Sequence, residues 1–357
     1  MGNLLDYLAW RGELSLSQAP FGEVDALILS VLSYVRFEGL VPAGTEAPVP
    51  LGRAAEEYLA LPDSRRGGRR CGADLELLRA LAGAPRFAGM ELCGRAEKFV
   101  PEEETQFAAL AVLPGDGAAF LAFRGTDATL VGWKEDFNLS FMDVVPAQLE
   151  AAGYVRSFGE GFPGPLVLGG HSKGGNLAAA GAALCPARVR DRVRAVFCFD
   201  GPGFTDYLLA RPGYQELVTR IRSFVPQSSV VGLLLTHEEP YTVVESSQTG
   251  RFQHDPYSWQ VLGPGFVRLE EITAGSRFID RTLKDWLAGL TGREREIVVD
   301  TLYELLSAGD AKLVREALSP QNLAGALRAV RDADPAGLLT VAASLARLAR
   351  AALRALP

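Results

Sequence analysis

Between Pro165 and Ala180 the chain reads PLVLGGHSKGGNLAAA. A short apolar run, Leu166-Val167-Leu168, stops at Gly169-Gly170, and an alanine-rich segment of helical spacing follows Gly174-Gly175. This is the pattern of strand, sharp turn and helix, with Ser172 at the apex of Gly170-His171-Ser172-Lys173-Gly174. A serine on such a turn sits on strained backbone, and neighbours two residues away must lack side chains for the turn to close. The helix N-terminus behind the serine favours negative charge developing in front of it. The turn therefore nominates Ser172 as a nucleophile.

The surrounding pattern supplies a sheet to carry that turn. Phe107–Leu113 and Ala118–Phe123 read as two strands joined by the turn Pro114-Gly115-Asp116-Gly117. Val145–Ser157 reads as a helix, Val193–Phe199 as the strand after the elbow helix, and Thr219–Val225 and Tyr241–Glu245 as further strands. Strands alternating with helices predict an α/β fold with a mainly parallel sheet, whose function gathers at the carboxyl ends of the strands. Those ends carry Arg124-Gly125-Thr126, Ser172 and Asp200. Residues 1–100 read mainly as helix and loop, including helices at Val24–Val35, Ala54–Ala60 and Asp74–Ala82 and a basic loop at Ser64–Arg70. From about Arg277 the chain reads as helical again, with segments at Phe278–Leu290, Glu294–Leu306, Ala311–Leu318, Leu323–Val330 and Ala336–Leu356. The expected organisation is a helical region at 1–100, an α/β core at 101–275 and a helical region at 276–357.

A serine hydroxyl needs a base, and the chain has three histidines: His171, His237 and His254. His171 adjoins the serine and is expected to point into neighbouring structure. His254, in a loop after the last strand-like segment, stands where the order serine, acid, histidine places the base, ahead of His237. Asp200, directly after the strand that follows the elbow helix, is the leading candidate to hold the imidazole, although a turn aspartate before Gly-Pro-Gly is also an ordinary use of Asp. Glu238, Glu239 and Asp255 adjoin a histidine in sequence and rank lower. The amide of Lys173 and the Gly125-Thr126 loop are the candidate oxyanion donors. An Arg124–Asp136 ion pair is expected to brace that loop.

Composition narrows the partners. A formal net charge of −7 argues against nucleic acid, which is bound by a basic surface. Cys71, Cys93, Cys185 and Cys198 show no metal-ligand spacing, and Cys185 and Cys198 read as buried small hydrophobes. The N-terminus lacks the pattern of a signal peptide, and no uninterrupted run of about 18 apolar residues predicts a membrane-spanning helix. A cytoplasmic location is the resulting expectation. The last helix sets Arg347, Arg350 and Arg354 among alanines and leucines. Such a helix usually packs its apolar face on its own protein, and otherwise lies on an anionic membrane.

Taken together, Phe123-Arg124-Gly125-Thr126, Trp133, Asp136 and Gly170-His171-Ser172-Lys173-Gly174-Gly175-Asn176-Leu177-Ala178 resemble the class 3 (fungal triacylglycerol) lipases of the α/β-hydrolase superfamily. The wording GHSKGGNLA, DGPGF, VPQSSVVG and QHDPYSW looks closer still to a bacterial lipase-like family, over about residues 1–290. The resemblance implies an α/β-hydrolase fold, Ser172 as nucleophile and Thr126 as oxyanion residue. Two positions depart from it. Lys173 stands where those lipases have a small or apolar residue, and Gln227-Ser228-Ser229 fills the segment where they carry the acid. Either Asp200 supplies the carboxylate from the preceding strand or the triad is incomplete. The expected function is a serine hydrolase of carboxylic esters or thioesters that uses Ser172, His254, Asp200, Thr126 and Lys173 without metal or cofactor. The alternative is a catalytically silent fold serving as an interaction module.

Overall fold

The computed structural model describes residues 2–62, 65–66, 71–307, 312–317, 319, 322, 329–330 and 334–355. Its centre is a nine-stranded sheet in the order β1-β2-β3-β4-β5-β6-β7-β8-β11. The strands are β1 Val49–Pro50, β2 Glu91–Val100, β3 Thr105–Leu113, β4 Ala119–Phe123, β5 Leu166–His171, β6 Val193–Phe199, β7 Ile221–Pro226, β8 Tyr241–Val244 and β11 Arg268–Leu269; β9 Val261–Leu262 and β10 Gly265–Phe266 form a separate small hairpin. From β4 to β8 the pairing is parallel, and β1 to β4 and the β8–β11 edge are antiparallel. A mainly parallel sheet with helices on both faces and a strand–elbow–helix at its centre is an α/β-hydrolase fold.

Period-two alternation divides each central strand between two cores. On β4, Phe120 and Ala122 face one core while Ala119, Leu121 and Phe123 face the other. β6 does the same with Phe197 and Phe199 against Val196. Both faces are covered, so the strands read in sequence as unbroken apolar runs rather than alternating ones. The first core is closed by the N-terminal helices Leu4–Arg11, Glu23–Leu32, Leu51–Leu59 and Cys71–Gly83. A fully buried ion pair ties them together: Arg86 Nη2 lies 2.6 Å from Asp25 Oδ2, and the Tyr7 hydroxyl donates to Asp25 Oδ1 at 2.9 Å. The second core is closed by helices Pro146–Gly161 and Lys173–Leu184.

One long strand was hidden in a region that reads as helix and loop. β2 is ten residues long and pairs along β3, but its register shifts between Cys93 and Ala96, where Gly94 has φ +59°. That bulge, with Arg95, Glu97 and Lys98 around it, erases the apolar alternation that marks a strand. Towards the C-terminus, the helices expected from Phe278 and Glu294 span Ala274–Ala288 and Gly292–Ser307. Of Ala311–Leu318, the structure describes a short helix at Val314–Ala317. The loop expected at 64–70 and the helix expected at 323–330 lie largely outside the described residues.

The final helix, Pro335–Ala355, differs from expectation in two ways. It is long and apolar enough, by length and composition, to cross a membrane, although Arg347 interrupts its apolar run. It also divides its apolar side chains, burying Gly337, Ser344 and Ala351 with Leu338, Val341 and Leu348 half-buried beside them, while Leu339, Leu345 and Leu353 turn outward and do not pack on its own protein.

Candidate active site

β5 delivers the chain to Ser172 and the helix Lys173–Leu184 leads away from it. Ser172 has φ +60° and ψ −137°, a conformation that L residues keep only when the surroundings impose it. Its amide donates to the Phe199 carbonyl at 2.9 Å, and its own carbonyl accepts from the Gly175 amide at 2.9 Å. The flanking glycines are required by backbone packing. A Cβ on Gly174 would lie 2.2 Å from the Phe123 carbonyl oxygen, and one on Gly170 would lie 2.2 Å from the backbone of Gly174. The elbow thus presses on the end of β4, the strand that leads into Thr126.

Asp200 follows β6, beside the elbow, and also has positive φ, +49°. Aspartate tolerates this region better than most side chains. Its buried carboxylate is held on both oxygens. Oδ1 accepts from the Ser229 hydroxyl at 2.5 Å and the Gly232 amide at 3.0 Å, and Oδ2 lies 2.6 Å from His254 Nδ1. The segment after β7, where the resemblance expects an acid, instead holds a serine that braces the acid of the preceding strand. Buried Asn176 fixes the turn beyond Asp200 by donating to the Pro202 and Gly203 carbonyls at 3.2 and 2.8 Å.

His254 ends a 3-10 turn, Gly250–His254, anchored by its neighbour Gln253. The Gln253 side chain accepts from the Ser228 amide at 2.7 Å, and its carbonyl accepts from Trp259 Nε1 at 2.9 Å. The His254 ring lies with its centroid 4.6 Å from that of His171. His171 Nε2 is 2.7 Å from the His254 carbonyl oxygen, which can only accept, so Nε2 carries the proton. His171 Nδ1 is then an acceptor for the Tyr34 hydroxyl at 3.2 Å.

Two carboxylates order the opposite wall. The Thr126 hydroxyl donates to the Asp136 carboxylate, with both oxygens at 2.6 Å. Arg124 does not pair with Asp136 as expected; it reaches Glu97 at 2.6 Å across the antiparallel strands, leaving Asp136 to Thr126. Lys173, the departure from the lipase pattern, is buried with its Nζ 2.7 Å from Glu135 and 3.0 Å from the Gln106 carbonyl. Glu135 also accepts from the Gln106 amide at 3.1 Å and the Ala147 amide at 2.9 Å. The lysine side chain therefore locks the elbow helix to β3 and to the helix Leu130–Asn138, which carries Asp136.

A family model described as Mbeg1-like matches residues 81–304, more than half of the chain and all of the segments above from β2 to His254. The chain belongs to the Mbeg1-like family. No curated protein matches this Mbeg1-like chain. Among solved structures, the M37 lipase is 14% identical over 60% of this chain and 70% of its own, with a TM-score of 0.39. A fungal lipase–inhibitor complex is 13% identical over 74% and 86%, with a TM-score of 0.40. A deletion mutant of the Rhizomucor miehei lipase propeptide complex is 14% identical over 84% and 79%, with a TM-score of 0.38.

Within the Mbeg1-like chain, His237 is engaged elsewhere. Its Nδ1 lies 2.9 Å from Glu239 Oε1, and Tyr214 donates to Glu239 Oε2 at 2.6 Å. Burial alone would raise the Glu239 carboxyl, but the hydrogen bond and charge of His237, with the Tyr214 hydroxyl, bring it below its ordinary value. Cys185 and Cys198 are buried as expected, and burial pushes the Cys198 thiol up to about 12. Among the described residues no cluster of three His, Cys, Asp or Glu side chains has a metal-binding arrangement. Sequence reasoning missed the parts played by Glu135, Ser229 and Tyr34, whose partners are remote in sequence.

Proposed function

We propose that this Mbeg1-like α/β-hydrolase cleaves carboxylic esters or thioesters through a covalent Ser172 intermediate. The observation that carries the reading is the 2.6 Å contact between His254 Nδ1 and Asp200 Oδ2. A carboxylate at that nitrogen holds the Nδ1–H tautomer and leaves the Nε2 lone pair to act as base. Ser172 Oγ attacks the substrate carbonyl carbon while His254 Nε2 takes its proton. The tetrahedral oxyanion is met by the amides of Thr126 and Lys173, the first on a loop fixed by Asp136 and the second at the elbow helix N-terminus. Collapse expels the alcohol or thiol, which takes the proton back from His254. Water activated by the same imidazole then releases the acid and restores Ser172. Asp200 supports the positive imidazolium formed on the way and keeps its own charge.

The lipase names of the solved structures above suggest lipid esters as substrates, and acyl esters of graded chain length form the natural panel. Turnover of p-nitrophenyl esters by the wild type, lost in Ser172→Ala with the fold intact by circular dichroism, supports the proposal. An unchanged rate in Ser172→Ala contradicts it. The alternative, a catalytically silent module, rests on the missing carboxylate after β7; the contact of Asp200 with His254 favours the hydrolase.

A further inference from the structure

The helix Pro335–Ala355 exposes more large apolar surface than a helix on a globular chain ordinarily does. Among the described residues seven large apolar side chains are more than half exposed, and three of them, Leu339 at 71%, Leu345 at 58% and Leu353 at 69%, stand on this one helix. Alanines 342, 346 and 349 continue the exposed stripe between them. The opposite face carries Gly337, Ser344 and Ala351 and is already occupied. Trp286 Nε1 donates to the Ser344 carbonyl and hydroxyl oxygens, each at 3.1 Å, and Arg347 Nη1 donates to the Gly289 carbonyl at 2.9 Å and Glu294 at 2.8 Å. The helix is therefore fixed along one side to helices Ala274–Ala288 and Gly292–Ser307, with its apolar stripe free on the other.

Charge indicates what that stripe meets. From Pro335 to Pro357 the sequence has three arginines and no Asp or Glu, within a chain of net charge −7. Arg350 and Arg354 are exposed and lie together along one edge of the leucine stripe on the helical wheel. The nearest carboxylate in sequence, Asp334, is used as the cap, accepting from the Ala336 and Gly337 amides at 3.3 and 3.0 Å, and the one that reaches the helix from a neighbour, Glu294, is taken up by Arg347. An antiparallel second copy would thus bring these arginines against a helix with no carboxylate along its length. An anionic lipid surface offers both what the leucines need and what the arginines need.

We propose that the Pro335–Ala355 helix docks the protein on anionic membrane surfaces, lying in the plane of the interface. Its attachment to the two neighbouring helices rules against threading through the bilayer and leaves the leucines to enter the acyl boundary while the arginines stay among the phosphates. Docking of this kind requires no turnover, so it stands or falls independently of Ser172.

The test is co-sedimentation of the full chain with phosphatidylcholine vesicles with and without phosphatidylglycerol. Binding to the phosphatidylglycerol vesicles is expected, with Arg350→Glu and Arg354→Glu each weakening it by at least about fivefold. Leu345→Glu and Leu353→Glu change exposed positions and are expected to abolish binding while leaving the thermal unfolding transition in place. No binding by the wild type, or equal binding by the leucine variants, overturns the proposal. A dimer that Leu345→Glu dissociates, with no vesicle binding, also overturns it and makes a second copy the occupant.

Discussion

His171 Nε2 lies 2.7 Å from the carbonyl oxygen of His254, and the two rings stand 4.6 Å apart. The residue before the candidate nucleophile therefore holds the residue proposed as its base, and Tyr34 from the N-terminal helical region holds His171 in turn. Replacing His171 with Phe keeps a ring but leaves the His254 carbonyl and the Tyr34 hydroxyl without this partner. The expected cost is about 1–3 kcal/mol in urea unfolding, with roughly tenfold slower reaction of Ser172 with a fluorophosphonate. An unchanged reaction rate would mean that Asp200 and its own loop suffice to hold His254.

Asp200→Asn preserves shape, but with Oδ1 still accepting from Ser229 and Gly232 it turns an amide N–H towards His254 Nδ1, which can then only accept and must give up its proton. The imidazole is then held in the wrong tautomer, and turnover is expected to fall by about 10³–10⁴. Ser229→Ala removes only one of the bonds to Oδ1, and the Gly232 amide remains. A loss of less than about tenfold in kcat and about 1 kcal/mol in stability is expected there. Steady-state kinetics on the same ester distinguishes the two.

Lys173 and Glu135 test the buried pair behind the elbow. Removing one charge strands the other, so Lys173→Met and Glu135→Gln should each cost about 3–5 kcal/mol in denaturant unfolding. The double variant should be destabilised by clearly less than the sum of the two, since no uncompensated charge remains. Additive losses would show that the two side chains do not depend on each other.

The Glu239 carboxyl, held below its ordinary value, sets a pH dependence. A depressed carboxylate contributes stability that is fully present above its unfolded value and is lost as pH falls through the lower folded one. Between about pH 5 and about pH 3 the wild type should therefore lose more thermal stability than Glu239→Gln, whose amide does not titrate. Parallel curves of Tm against pH would contradict the bond to His237 as the cause.

Much of the site was legible because local backbone demands leave marks in sequence. Gly170 and Gly174 are dictated by contacts within ten residues or to the adjacent strand end, and Asp200 stands at a strand end that apolar patterning alone locates. The bracing groups carry no such mark. Glu135 sits in a helix 38 residues before its lysine, and Ser229 looks like any turn serine until Asp200 is brought against it. Arg124 has two carboxylates in reach of reasoning, and the pairing of β2 with β3, which the sequence conceals, decides for Glu97. The last helix shows the limit of periodicity. Alternation of leucine and alanine announces a helix, while the residues that happen to face it, Trp286 and Glu294 among them, decide which side is inward.

The most direct test of the account is reaction of the purified chain with a fluorophosphonate probe, followed by mass spectrometry of the adduct. The account predicts labelling at Ser172 in the wild type, none in Ser172→Ala, and labelling slowed to near background in His254→Ala. A folded wild type that takes up no probe, or one labelled equally fast without His254, would contradict the claim that Asp200 and His254 make Ser172 a nucleophile.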